Sequence, residues 1–530
     1  MQSRAILAAG ELGLFTSVVD GSAEAPCVPL ADRFERIDLK DRDGVEAFAR
    51  RLREEGLLDG VMTAGTDFSA TVAWVAERLS LPGIPYEAAL DASDKGRMRR
   101  RFREAGLPSP AFTVMGPDRD FRDLLPEIGP SSGLDFPLVV KPADNMGSRG
   151  CRRVDCLAEL EPALEDARAF SRSGTAIVEA YMEGKEFSVD AIIHHGEVHI
   201  CGLADRHIFF PPYFIEMGHT MPTDASREQR DAVLEVFRSG VAALGLSGPG
   251  RVGAAKGDIK LTANGAMIGE IAARLSGGYM SGWTYPYASG VDPARAAVLL
   301  AVGLEPGDLR PARDWTGAER AFISIPGTVR EILGTEAARQ VPHVRDLFMR
   351  VGPGSKVNFP ENNVSKCGNA ISAAESGAEA VRAAERAARK VLIRLDPEDP
   401  ATGEFLAGIG ERFPPDAFPL DDGLRKLLEA MPETATRVGG FALMPFPELR
   451  DSGLRDWAGR DVPESIEAVA ELSGLSLPEI RPGEELEGEE SSDTVGMLLG
   501  RSFWSALVRG GYQGGTYYLD RLGTASRARG

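Results

Sequence analysis

Residues 257–278, GDIKLTANGAMIGEIAARLSGG, constrain the fold more than any other stretch of this chain. Two runs of strand-like residues, 258–262 and 266–273, flank Ala263-Asn264-Gly265, which can close a β-hairpin with either two or three loop residues. Side chains alternate along a strand, so loop length decides which residues share a face. A two-residue loop at Asn264-Gly265 sets apolar Ile259 opposite Glu270 and scrambles the faces. A three-residue loop with Gly265 in the left-handed position sets Asp258 opposite Glu270, and this register is expected. Carboxylates with Cβ atoms about 4.5–5.5 Å apart repel unless a cation lies between them, and hard oxygen donors suit Mg²⁺. On spacing alone the pair reads equally well as two solvated acids at a sheet edge.

At 530 residues the chain has material for about three to four domains and ample apolar content for real cores. The formal charge of −19 argues against general nucleic-acid or anionic-membrane binding, which needs excess positive charge. No run of 18 apolar residues occurs, and the start, MQSRAILAAGELG, lacks a cationic-then-apolar leader, so a soluble cytoplasmic protein is expected. Cys27, Cys151, Cys156, Cys201 and Cys367 are few, odd in number and scattered, which fits reduced thiols. His194, His195 and His199 lie in HHGEVH, which reads as a hairpin turn and lacks the paired Cys/His spacing of a zinc site.

Residues 4–13 predict a short helix, 15–20 a strand, 57–66 a second strand and 68–79 a second helix, together a small α/β unit. The apolar strand that normally precedes the first helix of such a unit is missing, which suggests that the chain starts late. Residues 91–110 predict an amphipathic helix with Lys95 at its start and a row of arginines, stopped by Gly106 and Pro108. Its bland reading is a solvated face; its functional one is a lysine reaching a phosphate. Strand 136–141 ends in Lys141 and leads into PADNMGSRG, a glycine loop whose backbone N–H groups could cradle an anion, or an ordinary hairpin. No GxxxxGK[ST] occurs, which excludes a P-loop enzyme. A formal GxGxxG at 248–253 follows a helix and precedes a strand, the reverse of a dinucleotide fingerprint, and reads as a connector. Residues 176–190 give two strands broken at Glu183-Gly184, with Glu179 and Glu186 at the edges of the break. Those acids could accept from an adenine amino group and from ribose hydroxyls, with the backbone near Tyr181 and Met182 meeting the base; exposed hairpin acids are the alternative.

Taken together, Lys95, VVKP at 139–142, the NMGSRG loop, VEAYMEGKEF at 178–187 and DIKL…GEIAARLSGG resemble the ATP-grasp superfamily in order and spacing, over roughly residues 15–395. The resemblance implies an α/β (α+β) architecture. Its parts are a preceding Rossmann-like domain (1–92), an ATP-grasp domain with a central antiparallel sheet (93–319), and a small lid near 125–180. It further implies an ATP-dependent ligase that forms an acyl phosphate from a carboxylate and couples it to an amine, or less often to another nucleophile. By this likeness Lys95, Lys141 and Ser148 hold the phosphates, Glu179 and Met182 read adenine, and Glu186 binds ribose. Asp258 and Glu270 carry Mg²⁺, with Mn²⁺ as a substitute, and Arg274 stabilises the charge at the reacting centre. Many relatives carry Asn two residues after the metal-binding Glu, where this chain has Ala272, which leaves the number of metals open. Two other outcomes are a non-catalytic ATP-binding regulator that keeps the clasp, and an enzyme of purine or carbamoyl-phosphate type.

Residues 203–224, LADRHIFFPPYFIEMGHTMPTD, predict a substrate loop for small carboxylates and amines, with Arg206, His207 and His219 as its contacts. Residues 320–396 resemble the carboxyl-terminal subdomain of amino-acid-ligase-like enzymes, with a long amphipathic helix at 373–394; Asn362, Asn363 and Lys366 precede it, either facing the site or capping a loop. An extension at 397–530 holds an acidic linker near 479–493 and an aromatic segment, 503–518, expected to dock on the body or on a second chain as a homodimer.

Overall fold

The computed structural model describes residues 2–438, 440–480 and 495–527. Contacts divide the chain into two compact units, Met1–Glu319 with Ile371–Val381, and Arg320–Ala370 with Arg382–Gly530.

In the first unit, helix α1 (Gln2–Glu11) precedes a parallel pair of short strands, β1 (Ser17–Asp20) and β2 (Arg33–Arg36), in register Ser17↔Arg33. Helices α2 (Arg42–Glu54) and α3 (Ser69–Arg78) bury Val45, Ala49, Val75 and Leu79 in one cluster against which Val19 packs. The expected strand at 57–66 does not form; its only pairing is an isolated bridge from Ala64 to Leu275. Asp59-Gly60 and Gly65 interrupt the apolar run and leave it too short to extend a sheet.

Helix α4 (Tyr86–Ser93) leads into α5 (Lys95–Glu104), whose start is fixed by Asp94 accepting from the Arg97 N–H. The lid follows as a four-stranded sheet in which β6 (Ala176–Ala180) lies between β3 (Phe112–Met115) and β4 (Leu138–Pro142), with β5 (Arg152–Val154) outside. Helix α6 (Leu157–Phe170) covers it, and Leu138, Val140, Leu160, Leu164 and Val178 form its core.

Five strands of the central sheet, β7 (Lys185–His194), β8 (Glu197–Phe209), β9 (Ile215–Met221), β10 (Gly253–Thr262) and β11 (Gly265–Ala272), are antiparallel and lie in the order β11-β10-β7-β8-β9. Helix α7 (Arg227–Ala243), started by a Ser226/Gln229 capping box, joins α5 in packing Phe102, Phe187, Val189, Phe237, Ile259 and Ile271 into one core. A second cluster holds Ile192, Ala204 and Met221 with Tyr285 of α8 (Tyr285–Ser289) and Ala297 of α9 (Pro293–Ala301). Residues 203–224 are therefore not a loop: they form most of β8 and β9, and the aromatics at 209–214 surround the turn between them. The alternation of Arg206, Ile208, Glu216 and Met217 with their neighbours is that of two half-buried strands, a period the aromatic richness obscures.

The second unit takes in the 320–396 region apart from Ile371–Val381, and the whole 397–530 extension. The helix expected at 373–394 spans Gly377–Lys390, because Gly368–Ala374 and Leu392–Leu395 are strands. Short buried runs of small apolar residues have no period that separates strand from helix. Asn362, Asn363 and Lys366 also belong to this unit. The aromatic segment is helical within Arg501–Arg527, two helices that meet at a kink at Gly511, and its Phe503 and Trp504 are buried with Phe418, Phe446 and Val469 of the same unit. Trp504 Nε1 donates to the Met444 carbonyl at 3.0 Å, and Arg509 meets Asp416 at 3.0 Å. Of the acidic linker, residues 481–493 lie outside the described residues. Among the described residues no helix is long and apolar enough to cross a membrane.

The lid strand β6 passes into β7 through Gly184, at φ +148, where an added Cβ would sit 2.1 Å from the Leu261 carbonyl oxygen. Gly184→Ala is expected to lower the midpoint of urea unfolding by an amount equivalent to at least about 1–3 kcal/mol.

Candidate active site

The hairpin that opened the sequence reading pairs Asp258 with Glu270, as expected, but by a different route. Thr262 stands opposite Gly265, so the loop is Ala263-Asn264, and a register shift between Asp258 and Ile259 inserts Gly269 on β11. Without that bulge the two-residue loop would put Asp258 opposite Gly269. A Cβ at Gly269 would come within 2.9 Å of the Asp258 carbonyl oxygen, so the close approach admits glycine.

Cations surround the pair. Lys95 Nζ donates to the Asn145 carbonyl at 2.6 Å and lies 3.9 Å from Glu270 Oε2. Lys256, two residues before Asp258 and opposite Ala272 on the ladder, ion-pairs with Asp258 Oδ2. Burial alone would raise the Glu270 pKa, but Lys95, Lys256, Lys141 and Arg274 outweigh it and hold the carboxyl at about 2. Asp258 Oδ1 is buried and has no hydrogen-bond donor, although Arg206 Nη1 stands 3.0 Å away. Asp258 facing an ionised Glu270 across the ladder gives a pair of oxygen donors that fits a hard divalent cation.

Lys141, at the end of β4, meets Glu179 Oε2 at 2.7 Å. Glu179 is fully enclosed; Arg99 Nε donates to its Oε1 at 2.8 Å, and Arg99 Nη2 reaches both Oε2 and the Gly269 carbonyl, the latter at 2.6 Å. Burial pushes the Glu179 pKa up, and Arg99 with Lys141 more than reverses it. Sequence reasoning passed over Arg99 as one basic residue in a row, although it stands one helical turn after Lys95 on the same face of α5. Ser148 lies in the β4–β5 loop at φ +60, in a segment held by Asn145 Nδ2 on the Phe170 carbonyl and Arg149 Nε on the Met146 carbonyl. The Met182 carbonyl accepts from Lys260 Nζ at 3.0 Å, and Lys260 stands 5.1 Å from the Tyr181 ring centroid and 3.5 Å from Glu186 Oε2.

Arg206 is the hub of a second cluster. Its guanidinium ion-pairs with Glu186, with Glu216 at 2.8 Å and with Asp258. Burial opposes its charge, yet Asp258, Glu216 and Glu186 drive its pKa far up. Glu216 Oε1 leads on to buried His219, 3.9 Å from its Nδ1, which lies 3.3 Å from Glu319; His219 Nε2 bonds Thr284 Oγ1 at 2.7 Å. His207, the neighbour of Arg206, bonds Thr220 at 3.0 Å. Arg206 and His219 thus join the carboxylate network and are not tips of a substrate loop.

Arg274 follows β11, which ends at Ala272, so it does not continue that strand face. Its Nε donates to the Thr66 carbonyl at 3.0 Å and its Nη1 to Leu275 O at 2.9 Å. Burial lowers its pKa against the pull of Glu270, Asp258 and Asp190. Asp190 accepts from Ser276 N–H and Oγ at 3.0 and 2.6 Å, and burial pushes its carboxyl up to about 6. Beside Arg274 opens a mainly apolar cavity lined by Thr63, Val72, Ile84 and Ala273.

Residues 134–282 match the ATP-grasp domain family and residues 321–396 the L-amino acid ligase C-terminal domain 2. An uncharacterized protein of Sinorhizobium fredii is 26% identical over 375 residues, 69% of this chain and 75% of that one. Carnosine synthase 1 of Gallus gallus is 28% identical over 317 residues, 56% of this chain and 34% of that enzyme. The solved L-amino acid ligase of Bacillus licheniformis superposes with a TM-score of 0.64 at 24% identity, covering 74% of this chain and 96% of that structure.

Removing the hub cation leaves three carboxylates facing each other, so Arg206→Met is expected to destabilise the chain by about 3–5 kcal/mol in urea unfolding. Because folding depresses the Glu270 pKa from the usual 4.5 to about 2, its ionised form adds stability above pH 4.5, and that contribution is lost as pH falls toward 2. Glu270→Gln should therefore flatten the stability curve between those pH values, read by thermal melts in a pH series.

Proposed function

We propose that this chain, a member of the ATP-grasp superfamily, is an ATP-dependent ligase that activates a carboxylate as an acyl phosphate and joins it to an amine. The observation that carries this reading is the Asp258/Glu270 pair, set among Lys95, Lys141, Lys256 and Arg274. The C-terminal match to L-amino acid ligases and the likeness to carnosine synthase favour amino acids as substrates.

Asp258 and Glu270 would hold Mg²⁺, or Mn²⁺ in its place, which when bound supplies charge neutralisation on the phosphates. Lys95 and Lys141 bind phosphate oxygens, and the loop carrying Ser148 covers them. Glu179 and Met182 line the adenine edge at the break between the two sheets, and Glu186 receives the ribose hydroxyls. Arg206 is a positioning residue that fixes Glu186 and Asp258 relative to each other. His207 and His219 stand on the substrate side, His219 through Glu216. Arg274, whose guanidinium donates to the Thr66 and Leu275 carbonyl oxygens, keeps its charge for the transferring phosphoryl group and the attacked carbonyl. The amine then displaces phosphate from the acyl carbon, forming the C–N bond as the acyl C–O bond breaks. β11, the strand that carries Glu270, ends at Ala272, whose side chain would supply no ligand, and Lys256 stands opposite it on the ladder.

With ATP and Mg²⁺, pools of amino acids and small acids are expected to elicit ADP and phosphate release; the absence of any pool-dependent release would sink the assignment. Arg274→Ala should lower kcat by about 10²–10³ while ATP binding, followed by calorimetry, stays within a few fold.

A further inference from the structure

We propose that His194, His195 and Glu305 form a zinc site on the first unit, separate from the carboxylate pair. His194 Nε2 stands 3.3 Å from Glu305 Oε2, and His195 Nε2 3.7 Å from Glu305 Oε1. One donor atom from each of the three residues lies within 4.8 Å of the other two, and no other group of this kind occurs among the described residues. A tetrahedral zinc ion with bonds of about 2.0–2.2 Å separates neighbouring donors by about 3.3–3.5 Å, so the arrangement needs side-chain rotation alone to close. Two imidazoles and one carboxylate are borderline-to-hard donors that suit zinc over Mg²⁺.

The backbone presents the pair deliberately. His194 stands opposite Glu197 across a two-residue turn, His195-Gly196, with φ +48 and +88. Such a turn favours Asn, Asp or Gly at its first position, and a histidine there bears a conformational cost. In return the two rings come to 4.1 Å between centroids. A single ion pair with Glu305 would need only one imidazole. The fourth position is open to water, or to His199, whose ring lies 6.3 Å from that of His194. Sequence spacing disfavoured a metal here because the third ligand comes from beyond α9, more than a hundred residues later.

His194 ends β7, whereas Glu186 lies near its beginning, roughly 26 Å away along an extended strand. The ion therefore takes no part in nucleotide binding; it ties the β7–β8 turn to the segment after α9, a helix that packs on β7 and β10. Zinc bound to the folded chain raises its melting temperature by mass action.

The experiment is a zinc titration of the full chain, stripped with EDTA and held in excess Mg²⁺, against a chromophoric chelator, with Co²⁺ as a spectroscopic probe. One zinc per chain is expected, together with the visible absorption of tetrahedral cobalt and a zinc-dependent rise in melting temperature. His195→Ala and Glu305→Gln, both at exposed positions, should weaken zinc binding at least about tenfold and abolish the rise, while their metal-free melting temperatures match the parent. Equal zinc affinity in the parent and both variants, or no zinc bound by the parent, would overturn the proposal.

Discussion

Everything at the candidate site depends on how one enclosed carboxylate is neutralised. Glu179 is only 2% exposed, and an isolated charge there would be prohibitively costly, so its partners must come to it. They come from different parts of the chain: Arg99 from α5 and Lys141 from β4. The same Arg99 Nη2 that meets Glu179 also donates to the carbonyl of Gly269, the extra residue that brings Asp258 and Glu270 together. A single guanidinium thus couples the lid sheet to the bulge in the central sheet. The lysine that would meet the phosphates and the carboxylates that would meet the metal share one set of supports.

A second guanidinium does the same for the other edge. Arg206 stands among Glu186, Glu216 and Asp258, so the acid assigned to ribose and the acid assigned to metal are held by one cation. Alternation of fixed charges of opposite sign offsets the cost of burying each group, and it leaves the Arg274 guanidinium on the carbonyl oxygens of Thr66 and Leu275. The whole chain is strongly acidic, yet this interior is lined by cations, which is the polarity a triphosphate requires.

Much of this was legible in the sequence where local rules act alone. The facing of Asp258 and Glu270 was expected, though from a three-residue loop, and the start of a helix at Lys95 and the break at Gly184 could be read from their residue types. The two-residue loop with a compensating bulge was not legible, because two compensating shifts give the same pairing as one longer loop. Arg99 was hidden among equally basic neighbours, since only burial distinguishes it. Residues 203–224 concealed two strands behind their aromatics, and 57–66 suggested a strand that its glycines prevent. Membership of the long-range networks, such as His219 with Glu319, is a property of topology and leaves no mark on spacing.

The division into units has a consequence for how such a protein can be cut and recombined. The first unit owns Ile371–Val381, a stretch that the chain reaches only after entering the second unit and must leave to return there. The chain therefore crosses between the units three times, and no single cut yields both intact. A fragment ending at Glu319 would lack part of its own unit, and one beginning at Arg320 would carry a piece that belongs elsewhere. Exchange of modules with a relative has to move two disjoint segments together, so the natural unit of inheritance here is the interlaced pair.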